Sequence, residues 1–370
     1  MDSRRVSPAE LRLKCSAGTC WVLVGDKVYD VSGFVKLHPG GERLLRDRAG
    51  EDIQAELHGP PHRHSNNALR WLEQYYVGQL EAESPATNQQ NQNERNQYSS
   101  STDHNNALSG FHFKTFSPKT DLVDWEKPLL WQVGHLREKY DEWVHQPVDQ
   151  PIRLFHSDFV ESCSKTAWYI VLAVWAPVVF YLSWYCLTEL AKGNTILFSS
   201  ITKDYSVPIP MFCFFPLFSI GVMFWTLMEY GIHRFVFHMN PPASNYYLIT
   251  LHFMLHGQHH KAPFDSSRLV FPPVPASIVI IPLYIVLQKI LPVPVGLSIF
   301  VGGLFGYVVY DMTHYYLHYG CPRKGSYLAW LKSYHVRHHF EHQKSGFGIT
   351  STLWDRPFKT LIPENKDKDY

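Results

Sequence analysis

The chain has 370 residues, enough for two or three domains, and a formal net charge of +1, which excludes the strong charge imbalance of a nucleic-acid binder. Aromatic residues make up 15 % of it, and histidine occurs 21 times, with twelve between His233 and His342, a crowding that points to metal chemistry. The six cysteines (Cys15, Cys20, Cys163, Cys186, Cys213 and Cys321) form no CxxC pair, which fits reduced thiols in a cytosol-facing protein better than a disulfide framework.

No apolar run stands near the start, so no cleavable signal peptide is expected. Residues 8–80 read as a compact soluble domain. Within it Trp21-Val22-Leu23-Val24, then Gly25-Asp26, then Lys27-Val28-Tyr29-Asp30 read as a hairpin, and Leu44, Leu45, Ile53, Leu69, Trp71 and Leu72 mark helical pieces. His38-Pro39-Gly40-Gly41 is a sharp turn able to bring its imidazole to a haem edge. Six-coordinate haem iron needs a second histidine, and His58, His62 and His64 are the candidates. Residues 81–120, rich in Gln, Asn and Ser, bury too little to offset ordering entropy and read as a disordered linker. In residues 121–165, Trp125, Leu129, Trp131, Leu136, Tyr140 and Trp143 alternate with charges. That pattern fits an amphipathic segment at a membrane interface or one packed on the protein's own surface.

Residues 166–370 read as a membrane-embedded domain. Four uncharged apolar stretches, 166–187, 207–228, 269–287 and 290–310, reach or approach the roughly 20 residues that cross a bilayer. Only Gln288 and Lys289 separate the last two, beside Pro292 and Pro294, so these form a tight hairpin. With the N-terminal domain inside, segments 229–268 and 311–370 are inside too. They carry Arg234, Lys261, Arg268, Arg323, Lys324, Lys332 and Arg337, with Lys165 ahead of the first span, against Lys192, Lys203 and Lys289 outside. The positive-inside rule therefore puts the histidine clusters on the cytosolic face.

Those clusters are His233 and His238 (HxxxxH), His256, His259 and His260 (HxxHH), His314 and His318 (HxxxH), and His335, His338 and His339 (HxxHH). Positions i, i+3 and i+4 share a helix face, so the last three motifs each present their imidazoles in one direction. HxxxxH does not share a face in an ideal helix and is expected to straddle the end of the second span. Ten imidazoles are too many for one ion and suit two. His252, His342, Asp311 and Glu229 are candidates to partner the rings' other nitrogens. Imidazole suits zinc, iron and copper alike. A fused haem supplies electrons that a structural zinc site cannot use, so a non-haem di-iron site is expected in the active protein, with zinc possible in a purified sample.

Residues 20–80 resemble cytochrome b5 domains in Trp21, Tyr29-Asp30-Val31, the HPGG turn, His64-Ser65 followed by Ala68, and Tyr76-Val77-Gly78-Gln79-Leu80. The resemblance implies b-type haem between His38 and His64, although the spacing of free cytochrome b5 would select His62. The four histidine motifs around a membrane hairpin resemble the fatty acid hydroxylase superfamily. Placing a cytochrome b5 domain ahead of it is the arrangement of the fatty acid 2-hydroxylase family. Further matching stretches are His256-Gly-Gln-His-His-Lys-Ala-Pro-Phe-Asp265, Asp311-Met-Thr-His-Tyr-Tyr-Leu-His318 and Lys344-Ser-Gly-Phe-Gly348.

The resemblance implies that all ten histidines bind two metal ions. It implies stereospecific, oxygen-dependent hydroxylation at the alpha carbon of a long-chain fatty acid, for ceramide and sphingolipid synthesis. The fold expected is a small α+β haem domain followed by an all-α membrane domain of about four spans with a cytosolic histidine-rich cap. No flavin or nucleotide motif is present, so a flavin reductase (NADPH-cytochrome P450 reductase or cytochrome b5 reductase) is the expected partner. Arg234, Lys261, Tyr315 and Tyr316 could meet the acid head group. Lys366 and Lys368 resemble a dilysine retrieval signal, in keeping with an endoplasmic reticulum membrane. The competing readings are an enzyme acting on another lipid position, a sphingoid base or a sterol, and a membrane-anchored electron carrier with structural zinc. A metal transporter is disfavoured because ionisable residues are expected to be missing from the spans.

Overall fold

The computed structural model describes residues 4–35, 38, 42–59, 64, 66–81, 121–148, 150–193, 196–199, 204–206, 209–323 and 325–363. The stretch read as a linker therefore lies outside the described residues apart from Glu81, as do His62, Lys366 and Lys368. The chain forms two compact units, Met1–Ser117 and Pro118–Tyr370.

The first unit is a small α+β fold. Strands β1 (Arg5–Val6), β2 (Trp21–Val24), β3 (Lys27–Asp30) and β4 (Tyr76–Leu80) form one sheet in the order β1-β4-β3-β2. The hairpin read from sequence is there, with Trp21 opposite Asp30 and Val24 opposite Lys27. Successive strand residues face opposite sides. Trp21 and Val28 thus join Val6 and Leu11 on one face, while Val22 and Tyr29 join Cys20, Val31, Val35, Ile53 and Leu57 on the other. Helix α1 (Pro8–Ser16) starts where Ser7 Oγ accepts the Glu10 N–H at 3.1 Å, with Pro8 at its first position. Helices α2 (Glu42–Arg46), α3 (Gln54–His58) and α4 (Asn66–Leu72) complete the unit.

The second unit is built on four apolar helices long enough to cross a membrane. Helix α5 (Leu130–Val133), a 3-10 turn (Gly134–Lys139), α6 (Tyr140–Val144) and α7 (Asp158–Cys163) precede them. This 121–165 segment packs inward: Leu129, Leu130, Val133, Tyr140, Trp143 and Val144 share a core with Ile249 and Phe253, leaving Leu122, Trp131 and Phe159 exposed. Arg268, buried, ties α7 to the start of the third span through Glu161 at 2.5 Å.

The first span is α8 (Trp168–Ala191), whose 24 residues reach about 36 Å at roughly 1.5 Å per residue. The β-hairpin β5 (Ile196–Ser199) and β6 (Asp204–Ser206) follows, a small exception to the all-α expectation. The second, third and fourth spans centre on α9 (Phe214–Gly231), α12 (Pro273–Ile290) and α13 (Val293–Tyr319). Only Leu291 and Pro292 join the last two, as the hairpin reading required.

Helix α13 is central, with 56 % of its apolar window buried, whereas Phe180, Val274 and Ile278 on the other spans stay exposed, as suits a lipid-facing surface. At Gly221 and Gly302 it packs on α9 backbone to backbone, while Trp225 of α9 rests on Tyr307 and Tyr310. A Cβ on Gly221 would overlap the Ile299 carbonyl oxygen, and one on Gly302 would overlap that of Phe218.

The spans run further than hydropathy suggested. Apolar helix continues through Phe237 in the second and to Tyr319 in the fourth, so Glu229, His233, Asp311, His314 and His318 ride on the spans themselves. The expectation of spans free of ionisable residues is corrected accordingly. These groups are tolerated because each finds polar partners inside the protein.

Candidate metal centre

The second span widens instead of ending. Residues Ile232–Phe237 form a π turn, and His238 N–H donates to His233 O at 2.9 Å, five residues back. One extra residue per turn is what brings i and i+5 onto one side. The HxxxxH motif, expected to straddle a helix end, therefore aims both rings at one group. The same device recurs after α10 (Tyr246–His252): a π turn at Phe253–Gly257 carries His256, and α11 (Gln258–Lys261) carries His259 and His260. His314 and His318 lie on α13, and His335, His338 and His339 on α14 (Tyr327–Phe340).

Among the described residues the rings assemble into two groups with ligand atoms within 4.8 Å of one another. His259, His314, His318, His335 and His339 form the first; His233, His238, His256 and His338 form the second. His260 stands beside the second, its Nε2 3.1 Å from that of His238. All ten predicted histidines thus converge, but not motif by motif. Each HxxHH motif serves both groups, because i, i+3 and i+4 fan over about 100° of a helix face. The expectation that each points in one direction is corrected.

The backs of the rings explain their fronts. His233 Nδ1 faces Phe347 O at 2.6 Å, His338 Nδ1 faces Ser345 O at 2.7 Å, and His314 Nδ1 faces Leu269 O at 3.2 Å. A carbonyl only accepts, so these nitrogens carry the proton and each Nε2 turns a lone pair inward. His318 makes a similar bond to the Pro263 backbone. Burial first, then neighbouring His233, holds His338 down at about 3, and burial likewise drives His256, His259, His335 and His339 well below the usual imidazole range.

The outcome is ten neutral rings with nitrogens 2.9 to 3.2 Å apart in the pairs His318–His335, His238–His338, His259–His314, His335–His339 and His233–His256. Two ligands at right angles about 2.1 Å from a shared ion stand about 3.0 Å apart. Converging lone pairs at that spacing fit a cation in each group, and the residues present fit two ions. Phe237 stacks on His256 at 4.9 Å and Phe347 lies 5.3 Å from His238, so the second group has an apolar wall.

Of the four residues proposed to partner the rings, none touches a ring of either group in the expected way. His252 is held between Tyr140 Oη, 2.5 Å from its Nδ1, and the Phe237 backbone. His342 is half-exposed beside Glu341, and its backbone, not its ring, meets the His338 imidazole. Asp311 accepts the Phe271 N–H at 3.2 Å, just past the Leu269 carbonyl that holds His314. Glu229 accepts the amides of Ile349 and Thr350 at 3.0 and 2.8 Å. The carboxylates work through backbone.

Two functional contributors were not read from sequence. Asp355 holds the loop whose carbonyls meet His233 and His338, and the only signal near it was the Lys344–Gly348 match. Lys261, one candidate for the acid head group, is instead a buried tie: Nζ donates to Trp143 O and Gln146 O at 2.9 and 2.7 Å and lies 4.3 Å from the Trp143 ring centre. Burial pushes it down to about 8. Of the other three candidates, Arg234 rests among Tyr230, Phe235, Phe347 and Phe358, and Tyr315 stacks on Tyr319.

In the first unit the His38 and His64 rings face each other, with centres 6.0 Å apart and planes 29° from parallel. An iron bound about 2 Å from each Nε2 would set the centres about 6 Å apart, so this pair fits a bis-histidine haem. Phe34 lies 5.9 Å from His38 and 6.3 Å from Trp71. His58 closes α3, and its side chain lies outside the described residues.

Comparison with known proteins agrees in both units. The family described as fatty acid hydroxylase matches residues 218–360, and the cytochrome b5-like heme/steroid binding domain matches residues 7–81. The chain is 59 % identical to fatty acid 2-hydroxylase of Homo sapiens, over 97 % of this chain and 95 % of that one. It is 34 % identical to a ceramide very long chain fatty acid hydroxylase of Saccharomyces cerevisiae, over 94 % and 91 %. Among solved structures, full-length scs7p, of which only the hydroxylase domain is visible, superposes with a TM-score of 0.56 at 33 % identity, covering 67 % of this chain and 88 % of that one.

Proposed function

The chain belongs to the fatty acid 2-hydroxylase family, and we propose that it hydroxylates, stereospecifically and with molecular oxygen, the alpha carbon of long-chain fatty acyl groups destined for ceramides. It is a hydroxylating oxidoreductase with a cytochrome b5 domain and a membrane domain. The reaction converts a CH2 beside the carbonyl into CHOH, consuming one O2, two electrons and two protons and releasing water. The observation that carries this reading is the pair of buried, neutral imidazole groups at the ends of the spans.

Two metal ions held by those ten histidines, iron by the electron demand of the reaction although zinc fits the same nitrogens, would supply the activation of oxygen. The chain's own residues do the rest. Backbone carbonyls at 269, 345 and 347 keep the proton on Nδ1 of His314, His338 and His233, so the ligand nitrogens stay available. Phe237 and Phe347 exclude water from the second group, as a reaction at a strong C–H bond needs. The acyl chain, dissolved in the bilayer, reaches the site along the exposed apolar faces of the spans.

His38 and His64 would hold b-type haem with both axial positions filled, which suits electron exchange and not oxygen binding. Electrons come from NADPH or NADH through a separate flavin reductase, and the tether between the units keeps the haem domain at high local concentration. The positive-inside rule and the C-terminal lysines support an endoplasmic reticulum membrane with the haem domain and the metal site facing the cytosol.

The test is expression in cells lacking 2-hydroxy lipids, alongside His338→Ala and His38→Ala, with mass spectrometry of ceramides. New 2-hydroxy ceramides from the parent, lost in both variants at equal protein level, are expected. No new 2-hydroxy lipid from the parent would sink the proposal and direct attention to other positions, to sphingoid bases or sterols, or to an electron carrier.

A further inference from the structure

Residues Ser345–Thr350 form a strap with two working edges. Along one edge four consecutive amides are taken up by two buried carboxylates. Phe347 N–H donates to Asp355 Oδ1 and Gly348 N–H to Asp355 Oδ2, both at 3.0 Å. Ile349 and Thr350 N–H donate to Glu229 Oε1 at 3.0 and 2.8 Å. Along the other edge, Ser345 O and Phe347 O receive the Nδ1 protons of His338 and His233.

Asp355 is fully buried, and its oxygens also accept Thr360 Oγ1–H at 2.7 Å and Tyr334 Oη–H at 3.3 Å. The strap's glycines follow from its tight course. Gly346 has φ +75°, and a Cβ on Gly348 would overlap Ser351 O and lie 3.0 Å from Asp355 Oδ2. Both imidazoles served by the strap belong to the second group; among the described residues, no ring of the first group touches it.

We propose that Asp355 is a positioning residue dedicated to the second imidazole group: through the Gly348 amide it fixes the Phe347 carbonyl that orients His233, and through Thr360, whose hydroxyl it accepts and whose carbonyl takes the Gly346 N–H at 2.7 Å, it steadies the Ser345 carbonyl that orients His338. It rests on the reading that each group holds one metal ion. A carboxylate that accepts a peptide N–H also polarises that peptide, so with Gly348 N–H on Asp355 the Phe347 carbonyl becomes a stronger acceptor and His233 a stronger ligand. Asparagine cannot take this part. Whichever way its amide turns, its NH2 meets one of the two N–H donors and the strap must leave it.

The test is metal content per chain in the purified full-length protein, measured by mass spectrometry for the parent and Asp355→Asn, with protein yield and the gel-filtration profile. The parent is expected to hold two equivalents, and Asp355→Asn to lose one of them while keeping the parental profile. Retention of both overturns the proposal, and so does joint loss of both, the mark of general unfolding. A parent with fewer than two equivalents overturns the two-ion reading and this proposal together. Should Asp355→Asn not accumulate, Thr360→Val removes one hydrogen bond from the same carboxylate and leaves the strap amides alone. One equivalent should then leave to a chelator faster than in the parent and the other at the parental rate; two parental rates overturn the proposal.

Discussion

Replacing Gly302 by alanine tests whether the α9–α13 contact sets the metal centre. Its Cβ would overlap the Phe218 carbonyl oxygen and stand 2.8 Å from Phe218 C and 3.0 Å from Phe218 Cα, all backbone atoms with no rotamer to escape into. Carbon atoms settle at about 3.5 Å or more. The carbonyl oxygen stands closer still and sets the limit, so the helices must part by more than about 1 Å, which forfeits about half or more of each dispersion contact across the seam. Overpacking of this kind costs about 1–3 kcal/mol, offset by at most about 1 kcal/mol that alanine gains over glycine in a helix.

Gly303, one residue on, is the control, because its Cβ would lie 3.6 Å from Gly221 O, an ordinary contact. Thermal unfolding in detergent should fall by roughly 2–8 °C for Gly302→Ala and stay within about 2 °C of the parent for Gly303→Ala. Metal retention should follow the same order, since α9 leads to His233, α13 carries His314 and His318, and ligand distances tolerate only about 0.2 Å. Equal destabilisation by the two substitutions would refute the close-contact reasoning.

Glu229→Gln should be mild: one amide oxygen can still accept Ile349 N, Thr350 N and Thr350 Oγ1, and melting and metal content should match the parent, whereas collapse would show that charge matters there and not shape alone. For Glu161, burial raises the carboxyl, but Lys165, the amides of Phe155 and Leu154, and Arg268 outweigh it and hold the group at about 2. That stability is full above the unfolded value near 4.5 and is lost as pH falls through 2; a melting-temperature profile from pH 6 to 2 should lose about 3 kcal/mol on this limb, and Glu161→Gln should flatten it. Tyr140→Phe strips the hydroxyl from His252 Nδ1 in a buried site, so unfolding should be easier by about 1–3 kcal/mol; an unchanged melt would mean that water replaces it. His38→Ala and His64→Ala should each abolish the haem absorption band while leaving the metal content of the other unit intact, as absorbance and elemental analysis of one sample would show.

Residue chemistry was readable and backbone geometry was not. The HPGG turn stood out because haem ligation needs a specific side chain at a specific turn, and the resemblance to cytochrome b5 domains singled out His64 among three candidates. The histidine motifs stood out because imidazoles repeated at i, i+3 and i+4 on one membrane face rarely serve any purpose but metal ligation. The two π turns left no trace in hydropathy, since inserting one residue into a helix keeps its apolar character while rotating everything after it. That rotation decides where His238 and His256 point; the division of each HxxHH motif comes from the fan of i, i+3 and i+4, whose spacing alone does not say which ring meets which ion. Spans were cut short at Asp311 and Glu229 because polarity was scored without its partners, which lie 40 and 120 residues away in sequence. Asp355 was missed for a related reason: its work passes through amides, and an amide has the same sequence signature everywhere. Lys261 was offered as a partner for the acid head group because nothing local foretells that two carbonyls and an indole will enclose it.

The interleaving of the groups constrains how the centre can be held. His256 and His259 belong to different groups yet share one helical run, and so do His338 and His339. Any movement of α11 or α14 therefore disturbs both groups at once, and neither helix can be tuned for one ion alone. Independent adjustment has to come from structure that only one group touches. The loop at Ser345–Thr350 meets that condition for the second group, and the turn at Leu269–Phe271, held by Asp311, meets it for the first. Each group then has one private carboxylate-anchored loop and a shared helical frame, and the frame itself is locked by glycine contact between α9 and α13. Rigid shared helices with separately anchored loops can keep two ion sites within ligand tolerance of each other while leaving each its own electrostatic setting.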